Sequence, residues 1–515
     1  MATKKVIIGS RGSDLALWQA NYVKDQLAQL GHSSEIKIIQ TKGDQIQHLS
    51  FDKIEGKGFF TKEIENSLLG EEIDLAVHSL KDLETDQPKG LCIGAVPPRE
   101  DPSDCLLINL IAVDTTKSLS INKKAIVGTS SARRKNQLLL FREDLKIKDL
   151  RGNVPTRVQK LRNGDYDAIV LAKAGLNRLN VDLSEFHVFD LNPVRFIPAP
   201  AQGALGLQIR ENDVFLKDLL AKLNDPQALE SVTFERSILN GIGGGCHSPF
   251  GAFSKLDNKG NRTTWVTYAK EVEHTPLRMV SKQNDVHPIV EFVKRTNPSK
   301  KVWISRDLEG DSIFKKLVLA ARHEITAKSC ISKEILKLNV LPSCDWLFFN
   351  SAFSFDSIQH LKNDFKTKKV AAFGIATANY IKKNGIKVDF IGKGTPEKVA
   401  QDFKLLPQKS EIVFFPSSNR SIGTVASSLK EENKLIETTY NTVLLQHDLE
   451  GHSYLVFTSP SNVEAYFSAN NYCGEKVVSI GPSTTTALKR SGVDKAHEAY
   501  ESSELALADT LLSLI

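Results

Sequence analysis

Short apolar runs separated by longer amphipathic stretches recur along the whole chain, and this alternation constrains the fold more than any other feature. The runs include Lys5–Ile8, Leu75–Val77, Ala125–Val127, Ala168–Leu171, Val302–Ile304, Leu347–Phe349, Ile412–Phe415, Leu455–Phe457 and Val477–Ile480. Runs this short, closed by Gly, Ser, Thr or Asn, read as buried strands. The segments between them, such as Leu15–Leu30 and Ala132–Phe141, carry helical spacing. Strand–helix alternation predicts mostly parallel sheets packed against helices. For 515 residues, at roughly 100–200 residues per domain, three or four domains are expected.

Composition excludes other classes. Hydrophobic residues at 41% and charged residues at 25% are globular values, which leaves no room for a long disordered tail or a fibrous repeat. A net charge of +6 over the whole chain makes no case for nucleic acid. It suits a small anion held by local basic groups. The apolar stretch Val6-Ile7-Ile8-Gly9 is too short for a signal-peptide core, and nothing approaches the roughly 20 apolar residues of a membrane span. Cys92, Cys105, Cys246, Cys330, Cys344 and Cys473 form no Cys-x-x-Cys pair and no disulfide framework. The expectation is a multidomain α/β protein of a reducing, cytoplasmic compartment, with neither membrane nor nucleic acid as partner.

Each half of the chain repeats itself. Gly9-Ser10-Arg11 is matched by Gly128-Thr129-Ser130, and Asp74-Leu75-Ala76-Val77 by Asp167-Ala168-Ile169-Val170. In the second half Phe349-Asn350-Ser351 is matched by Phe457-Thr458-Ser459, and Gly374 and Gly385 by Gly481 and Gly492. Two pairs of related α/β lobes are predicted, with a seam near Thr296–Lys301, a polar stretch with a proline.

Several junctions carry chemistry. At Gly9-Ser10-Arg11-Gly12-Ser13 a strand ends and a helix begins, so unpaired N–H groups and the helix dipole favour an anion. Arg11 adds a forked donor for a carboxylate, while Ser13 as a helix cap is the plain structural reading. Gly128–Arg134 repeats this arrangement with Thr129, Ser130 and Ser131 before Arg133 and Arg134. Arg151 and Arg157 flank a Gly-Asn turn. Singly these arginines read as solvated surface groups; together they point to a polyanionic ligand. No Gly-x-x-x-x-Gly-Lys-Ser/Thr loop supports a nucleoside triphosphate. His78-Ser79-Leu80-Lys81-Asp82 follows a strand, where α/β proteins place ligands. There Asp82 is a candidate to move a proton or stabilise a developing cation, and Lys81 to pair with an anion; Asp82 as a helix cap is the alternative. Cys246 follows three glycines, so its thiol has little cover and is a candidate nucleophile; an inert buried cysteine is the alternative. Cys246-His247 has no further ligands nearby, and no metal is expected. Lys53–Glu63, with Lys57 and Phe60, reads as a loop entering a helix.

Taken in order, these residues resemble the porphobilinogen deaminase (hydroxymethylbilane synthase) family from about residue 4 to about residue 255. The resemblance rests on Arg11-x-Ser13-x-Leu15-Ala16, Thr41-x-Gly43-Asp44, His78-Ser79-x-Lys81-Asp82, Gly128-Thr129-Ser130-Ser131-x-Arg133-Arg134, Arg151-Gly152-Asn153, Pro198–Ala204 and Gly244-Gly245-Cys246. It implies two periplasmic-binding-protein-like lobes (1–100 with 199–217, and 101–198) and a small α+β domain (218–298) bearing the cysteine. It implies that Cys246 holds a dipyrromethane cofactor by a thioether bond. Four porphobilinogen units are then joined head to tail with loss of ammonia, and hydrolysis releases hydroxymethylbilane. By the same resemblance Asp82 is the catalytic group. Lys81, Ser131, Arg133 and Arg134 are cofactor contacts. Arg11, Ser13, Lys57, Phe60, Thr129, Arg151 and Arg157 are substrate contacts, and this half is a monomer. Asp14 and Glu84 stand where many relatives have Pro, and Ala201 where they have Gly, which bears on loop geometry rather than chemistry.

From about residue 300 to the end the chain resembles the uroporphyrinogen-III synthase family, through Phe457–Val463, Ile480–Ala487, Phe373–Ala378 and Tyr440. This implies two further α/β lobes (300–335 with 442–515, and 336–441) that close hydroxymethylbilane with inversion of its last ring and loss of water. Tyr440, Thr458 and Ser459 match substrate-contacting positions, with helix capping by Thr458 and Ser459 as the alternative. Two other readings compete: a non-enzymatic anion-binding protein, and a deaminase followed by a non-catalytic module.

Overall fold

The computed structural model of the chain describes residues 5–41, 61–243, 248–294, 298–421, 423–447, 449 and 451–515. These form two units. Residues 1–300, 310–324 and 503–515 make the first, and residues 301–309 and 325–502 the second, so the chain passes between them four times.

In the first unit β1 (Val6–Ser10), β2 (Ser34–Ile38), β3 (Leu75–Ser79) and β4 (Leu91–Ala95) start one sheet. A second sheet follows from β5 (Asp104–Asn109), β6 (Ile126–Gly128), β7 (Lys146–Lys148), β8 (Ala168–Ala172) and β9 (Phe186–Leu191), and β10 (Leu205–Arg210) returns to the first. The orders are β2-β1-β3-β10-β4 and β7-β6-β8-β5-β9, the same pattern with one inserted antiparallel strand in each. The paired segments seen in the sequence occupy equivalent places. Asp74 accepts the Ile7 N–H at 3.0 Å and donates its own N–H to Ile7 O at 2.8 Å. Asp167 does the same with Ile126, at 2.6 and 2.9 Å. Each aspartate thereby ties the start of its strand to the parallel neighbour. The strands are covered on both faces and so read as continuous apolar runs: Val6, Ile8, Leu75, Val77, Leu207 and Ile209 pack on Ala20, Val23 and Leu27 of the helix Asp14–Gln29, while Ile7 and Ala76 pack on the other side with Ile64 and Leu68.

The segment returning to the first lobe is tightly specified. Gly203 sits at φ +88°, and a Cβ there would lie 2.4 Å from Glu100 O, so only glycine fits. Ala201 also adopts a left-handed φ, +59°, where a side chain costs roughly 1–2 kcal/mol. Its methyl is fully buried beside Leu80, Val96 and Val232, which returns about 0.8 kcal/mol. That burial offsets much of the cost of a side chain at this φ.

The third domain packs the helix Pro226–Ile242 and the helix His287–Lys294 on an antiparallel sheet of β11 (Phe250–Leu256), β12 (Arg262–Tyr268) and β13 (Leu277–Ser281). Glu235, fully buried, joins the pieces: it accepts two bonds from Arg99 at 2.8 and 3.0 Å, one from Ala201 N at 2.7 Å and one from Ser254 N at 2.8 Å.

The second unit is built on two sheets. One has the order β15-β14-β22-β23-β24, the other β16-β21-β20-β17-β18-β19. Their strands are β14 (Lys301–Ile304), β15 (Glu324–Ala327), β16 (Ile331–Ile335), β17 (Trp346–Phe349), β18 (Lys369–Ala372), β19 (Phe390–Ile391), β20 (Val413–Ser418), β21 (Lys434–Leu444), β22 (Tyr454–Phe457), β23 (Lys476–Ser479) and β24 (Ala496–Glu498). Here too the repeat is structural. Ser351 and Ser459 cap the helices after β17 and β22, each accepting the N–H three residues on at 3.2 Å. Gly374 and Gly481 begin the next helix in each lobe, and Gly385 and Gly492 follow its end at φ +83° and +86°. The fold is therefore α/β and multidomain, with paired lobes in both halves and a small α+β domain in the first. No described helix is long and apolar enough to cross a membrane. The described cysteines are unpaired, and Cys246, Lys57 and Phe60 lie outside the described residues.

Candidate active site

Strand ends bring the candidate side chains together. Lys81 and Asp82 follow β3 in a single helical turn, Leu80–Asp82. Arg133 and Arg134 open the helix Ala132–Phe141 after β6, with Ser131 as its cap. Lys81, Asp82, Ser131, Arg133 and Arg134 line one cavity of about 170 Å³, and Glu84, Thr85, Gln202, Arg236 and Ser248 are the other polar residues of its wall. A larger cavity of about 360 Å³, lined by Tyr22, Pro97, Pro98 and Asn224 among others, holds none of the expected residues.

The two arginines are set by a group that sequence reasoning did not select. Asp104, fully buried on β5, accepts from Arg133 Nη1 at 2.9 Å, from Arg134 Nη2 at 2.7 Å and Nε at 3.2 Å, and from Gln202 Nε2 at 2.9 Å. Arg133 also donates to Ile197 O at 2.8 Å and Arg134 to Val170 O at 3.0 Å. Burial opposes the Asp104 charge, but the two guanidiniums overcome it and hold the carboxyl far below the usual carboxylate range. A guanidinium carries five donors, so both arginines keep N–H groups beyond these bonds. Lys81 has its pKa lowered, first by desolvation, with Asp82 pulling the other way.

Arg11, Ser13, Thr129, Arg151 and Arg157 are not among the residues that line this cavity. Arg157 is pushed down to about 10 by burial and by Arg134, and Asp82 opposes that shift, so it shares their field. Its Nε donates to Gly152 O at 2.7 Å. Gly152 itself sits at φ +112°, where a Cβ would lie 2.7 Å from Thr156 Cγ2. Arg151 is half-buried on the same turn, and its carbonyl accepts from Lys160 at 3.1 Å. Ser13 and Ser131 accept helix N–H groups at 3.4 and 3.5 Å, and Thr129 Oγ1 accepts from Ser131 N at 3.2 Å. The capping reading therefore holds for both serines, and each of these hydroxyls still has an O–H to donate. Arg11 is half-buried at the end of β1, near enough to His78 to depress its pKa.

His78 is a structural group. It is buried, with Nε2 3.1 Å from Gln208 Oε1, and desolvation lowers its pKa to about 4. The unfolded state then takes up a proton that the folded state does not. The stabilisation is complete above about pH 6.5 and is lost as pH falls towards 4, by up to about 3 kcal/mol. In urea titrations His78→Gln is expected to flatten the loss of first-lobe stability across that window; an unchanged slope would refute the assignment.

Sequence reasoning also missed Glu235 and Arg236. Arg236, buried on the third domain's first helix, donates to Leu80 O at 2.9 Å and Leu83 O at 2.8 Å, which frame Lys81 and Asp82. A signal was available: Ala228, Val232, Glu235 and Leu239 fall at i, i+4, i+7 and i+11, which puts Glu235 on the buried stripe.

In the second unit Thr458 ends β22, and its N–H donates to Ser305 Oγ at 2.8 Å and its hydroxyl to Ser305 O at 3.2 Å. Ser459 caps the helix Pro460–Phe467. Tyr440 is buried on β21, edge-on to Phe353 at 5.0 Å.

Residues 6–218 match the family model described as "Porphobilinogen deaminase, dipyromethane cofactor binding domain", and residues 320–509 match "Uroporphyrinogen-III synthase HemD". A porphobilinogen deaminase of Maridesulfovibrio salexigens is 43% identical over 303 residues, which is 58% of this chain and 91% of that one. One from Bacillus cereus is 41% identical over 323 residues, or 62% of this chain and 99% of that one. A uroporphyrinogen-III synthetase structure from Helicobacter pylori aligns with 42% of this chain and 100% of its own, at 19% identity and a TM-score of 0.33. The chain belongs to the porphobilinogen deaminase family, whose substrate is porphobilinogen, and carries a uroporphyrinogen-III synthase domain behind the deaminase.

Proposed function

We propose that the first half joins four porphobilinogen units head to tail, losing ammonia at each addition, from a dipyrromethane primer bound to Cys246 by a thioether. Hydrolysis releases hydroxymethylbilane, and the second half closes it to uroporphyrinogen III with loss of water. The observation that carries the first reading is the composition of the 170 Å³ cavity, where the Asp82 carboxylate stands beside Lys81, Arg133 and Arg134.

Each pyrrole of the primer and of the growing chain carries two carboxylates, and the donor set fits such a polyanion. Asp104 cancels only part of the arginine charge, and both guanidiniums keep donors for a ligand. Lys81, Ser131, Arg133 and Arg134 would hold the primer, which supplies the pyrrole carbon to which the first substrate ring is joined. Arg11, Ser13, Lys57, Phe60, Thr129, Arg151 and Arg157 would receive the acetate and propionate groups of substrate rings. Asp82 holds negative charge where positive charge develops as ammonia leaves, and it takes or returns a proton at its carboxylate oxygens. Because Asp104 is locked to two arginines, it is Asp82 that is positioned for this work. The unpaired cysteines support a reducing, cytoplasmic setting.

For the second half, support comes from the family match over 320–509 and from the paired lobes. A second reading, a non-catalytic module, is favoured by one observation: the Thr458 hydroxyl donates to Ser305 O rather than standing free for a ligand.

One preparation tests both halves. The intact mass should exceed the sequence mass by one dipyrromethane, and Cys246→Ser should lack the increment. Active wild type of unmodified mass would sink the primer. Incubation with porphobilinogen should give the type III isomer; type I alone would establish the non-catalytic reading.

A further inference from the structure

We propose that the chain's final helix, Glu504–Leu512, is a structural element of the deaminase half: it covers the outer face of the third domain's sheet at β13. Through Arg278 it also pins that strand to the segment leaving the second lobe.

Strand alternation defines the face. Met279 of β13 points into the domain's own core with Ile238 and Ile289, so Arg278 and Val280 point the other way. An antiparallel sheet commonly leaves that second face wet. Here it is dry: Arg278 is 0% exposed and Thr267, its partner across the ladder, 1%. A guanidinium taken fully out of water needs partners on several sides. Arg278 has them. It forms a two-pronged pair with Asp509, Nε to Oδ1 and Nη2 to Oδ2, both 3.0 Å, and Asp509 is also 0% exposed. It also donates to Arg195 O at 3.0 Å and Val194 O at 3.1 Å.

The helix is built for this place. Every residue from Leu505 to Leu512 is buried, and apart from Asp509 and Thr510 all are Leu or Ala. A helix apolar all round is stable only inside a core. Its first residue, Glu504, accepts from Ser312 Oγ at 2.7 Å at the start of the helix Ile313–Ala320, and Lys316 of that helix pairs with Glu143 of the second lobe at 2.8 Å. The deaminase match ends at residue 218 and the uroporphyrinogen-III synthase match runs to 509, so by sequence Glu504–Asp509 falls in the second match while its packing lies in the first unit.

The anchor reaches the cavity in few steps. Two residues beyond Arg195, the Ile197 carbonyl accepts from Arg133 at 2.8 Å and from Gln137 at 2.9 Å. Loosening Val194 and Arg195 therefore loosens the seat of one cavity arginine. This effect on turnover rests on the deaminase reading; the role of the helix in the sheet does not.

Hydrogen exchange on the full chain decides it. Asp509→Leu takes the paired carboxylate from a buried guanidinium and should speed exchange at Leu277–Ser281 on the order of 10²-fold, with β1 and β3 unchanged. Arg278→Met combined with Asp509→Leu removes both charges and should return exchange to within about tenfold of wild type. The KM for porphobilinogen should rise in the single variant and recover in the double. Exchange at β13 within about threefold of wild type in Asp509→Leu overturns the proposal, as does equal acceleration across the first lobe, which signals general unfolding. A wild type that consumes no porphobilinogen removes the deaminase reading and leaves the exchange result to stand or fall alone.

Discussion

Replacing Asp82 by Asn is expected to lower deaminase turnover by roughly 10²- to 10⁴-fold, the contribution of a positioned proton-transfer group. The fold should survive, because Asp82 is exposed and surface changes usually cost no more than about 0.5 kcal/mol. KM should move little, since Lys81, Arg133 and Arg134 keep their places in the cavity wall. Ammonia release and hydroxymethylbilane formation should fall together. A variant that turns over within about fivefold of wild type would show that Asp82 makes no proton-transfer contribution of this size. Asp82→Glu, which keeps the charge on a longer stem, should lie between the two.

The second large effect is on stability. Asp104→Asn removes the charge that satisfies two buried guanidiniums, and breaking a buried pair in this way typically costs about 3–5 kcal/mol. Because Arg133 and Arg134 line the cavity, affinity for porphobilinogen should fall as well, which separates this variant from Asp82→Asn. The pH dependence follows from the depressed Asp104 carboxyl. Its stabilisation is present above the unfolded carboxylate value near 4 and is lost as pH falls below that towards the folded value. The His78 contribution disappears at higher pH, between about 6.5 and 4. Acid titration of wild type, His78→Gln and Asp104→Asn, followed by urea unfolding, should show two separate windows. If Asp104→Asn unfolds at the same urea concentration as wild type at pH 7, the buried cluster is not the support described.

Much of this was readable from local patterns. The repeated motifs mark equivalent strand ends, and in the structure Asp74 and Asp167 make the same two bonds to Ile7 and Ile126. Ser351 and Ser459 cap helices at matching places because capping needs only a hydroxyl three residues before a free N–H. The clustering of Lys81 and Asp82 with Arg133 and Arg134 followed from their positions at strand ends. What local pattern does not carry is pairing at a distance. Asp104 lies 29 residues from Arg133 and reaches it because β5 is inserted antiparallel beside β8. Glu235 gave a helical-spacing signal, but its partners Arg99 and Ala201 lie on other elements.

By itself, then, the sequence determined the elements, their pairing into related lobes and the chemical character of the site, because these depend on residues a few positions apart. The tertiary structure decided which charges are already paired and which line the cavity. It also brought Asp509 of the last helix, 231 residues along the chain, onto Arg278 within the first unit. Burial makes a charge depend on whatever partner the fold brings within about 3 Å, and chain spacing does not encode that distance.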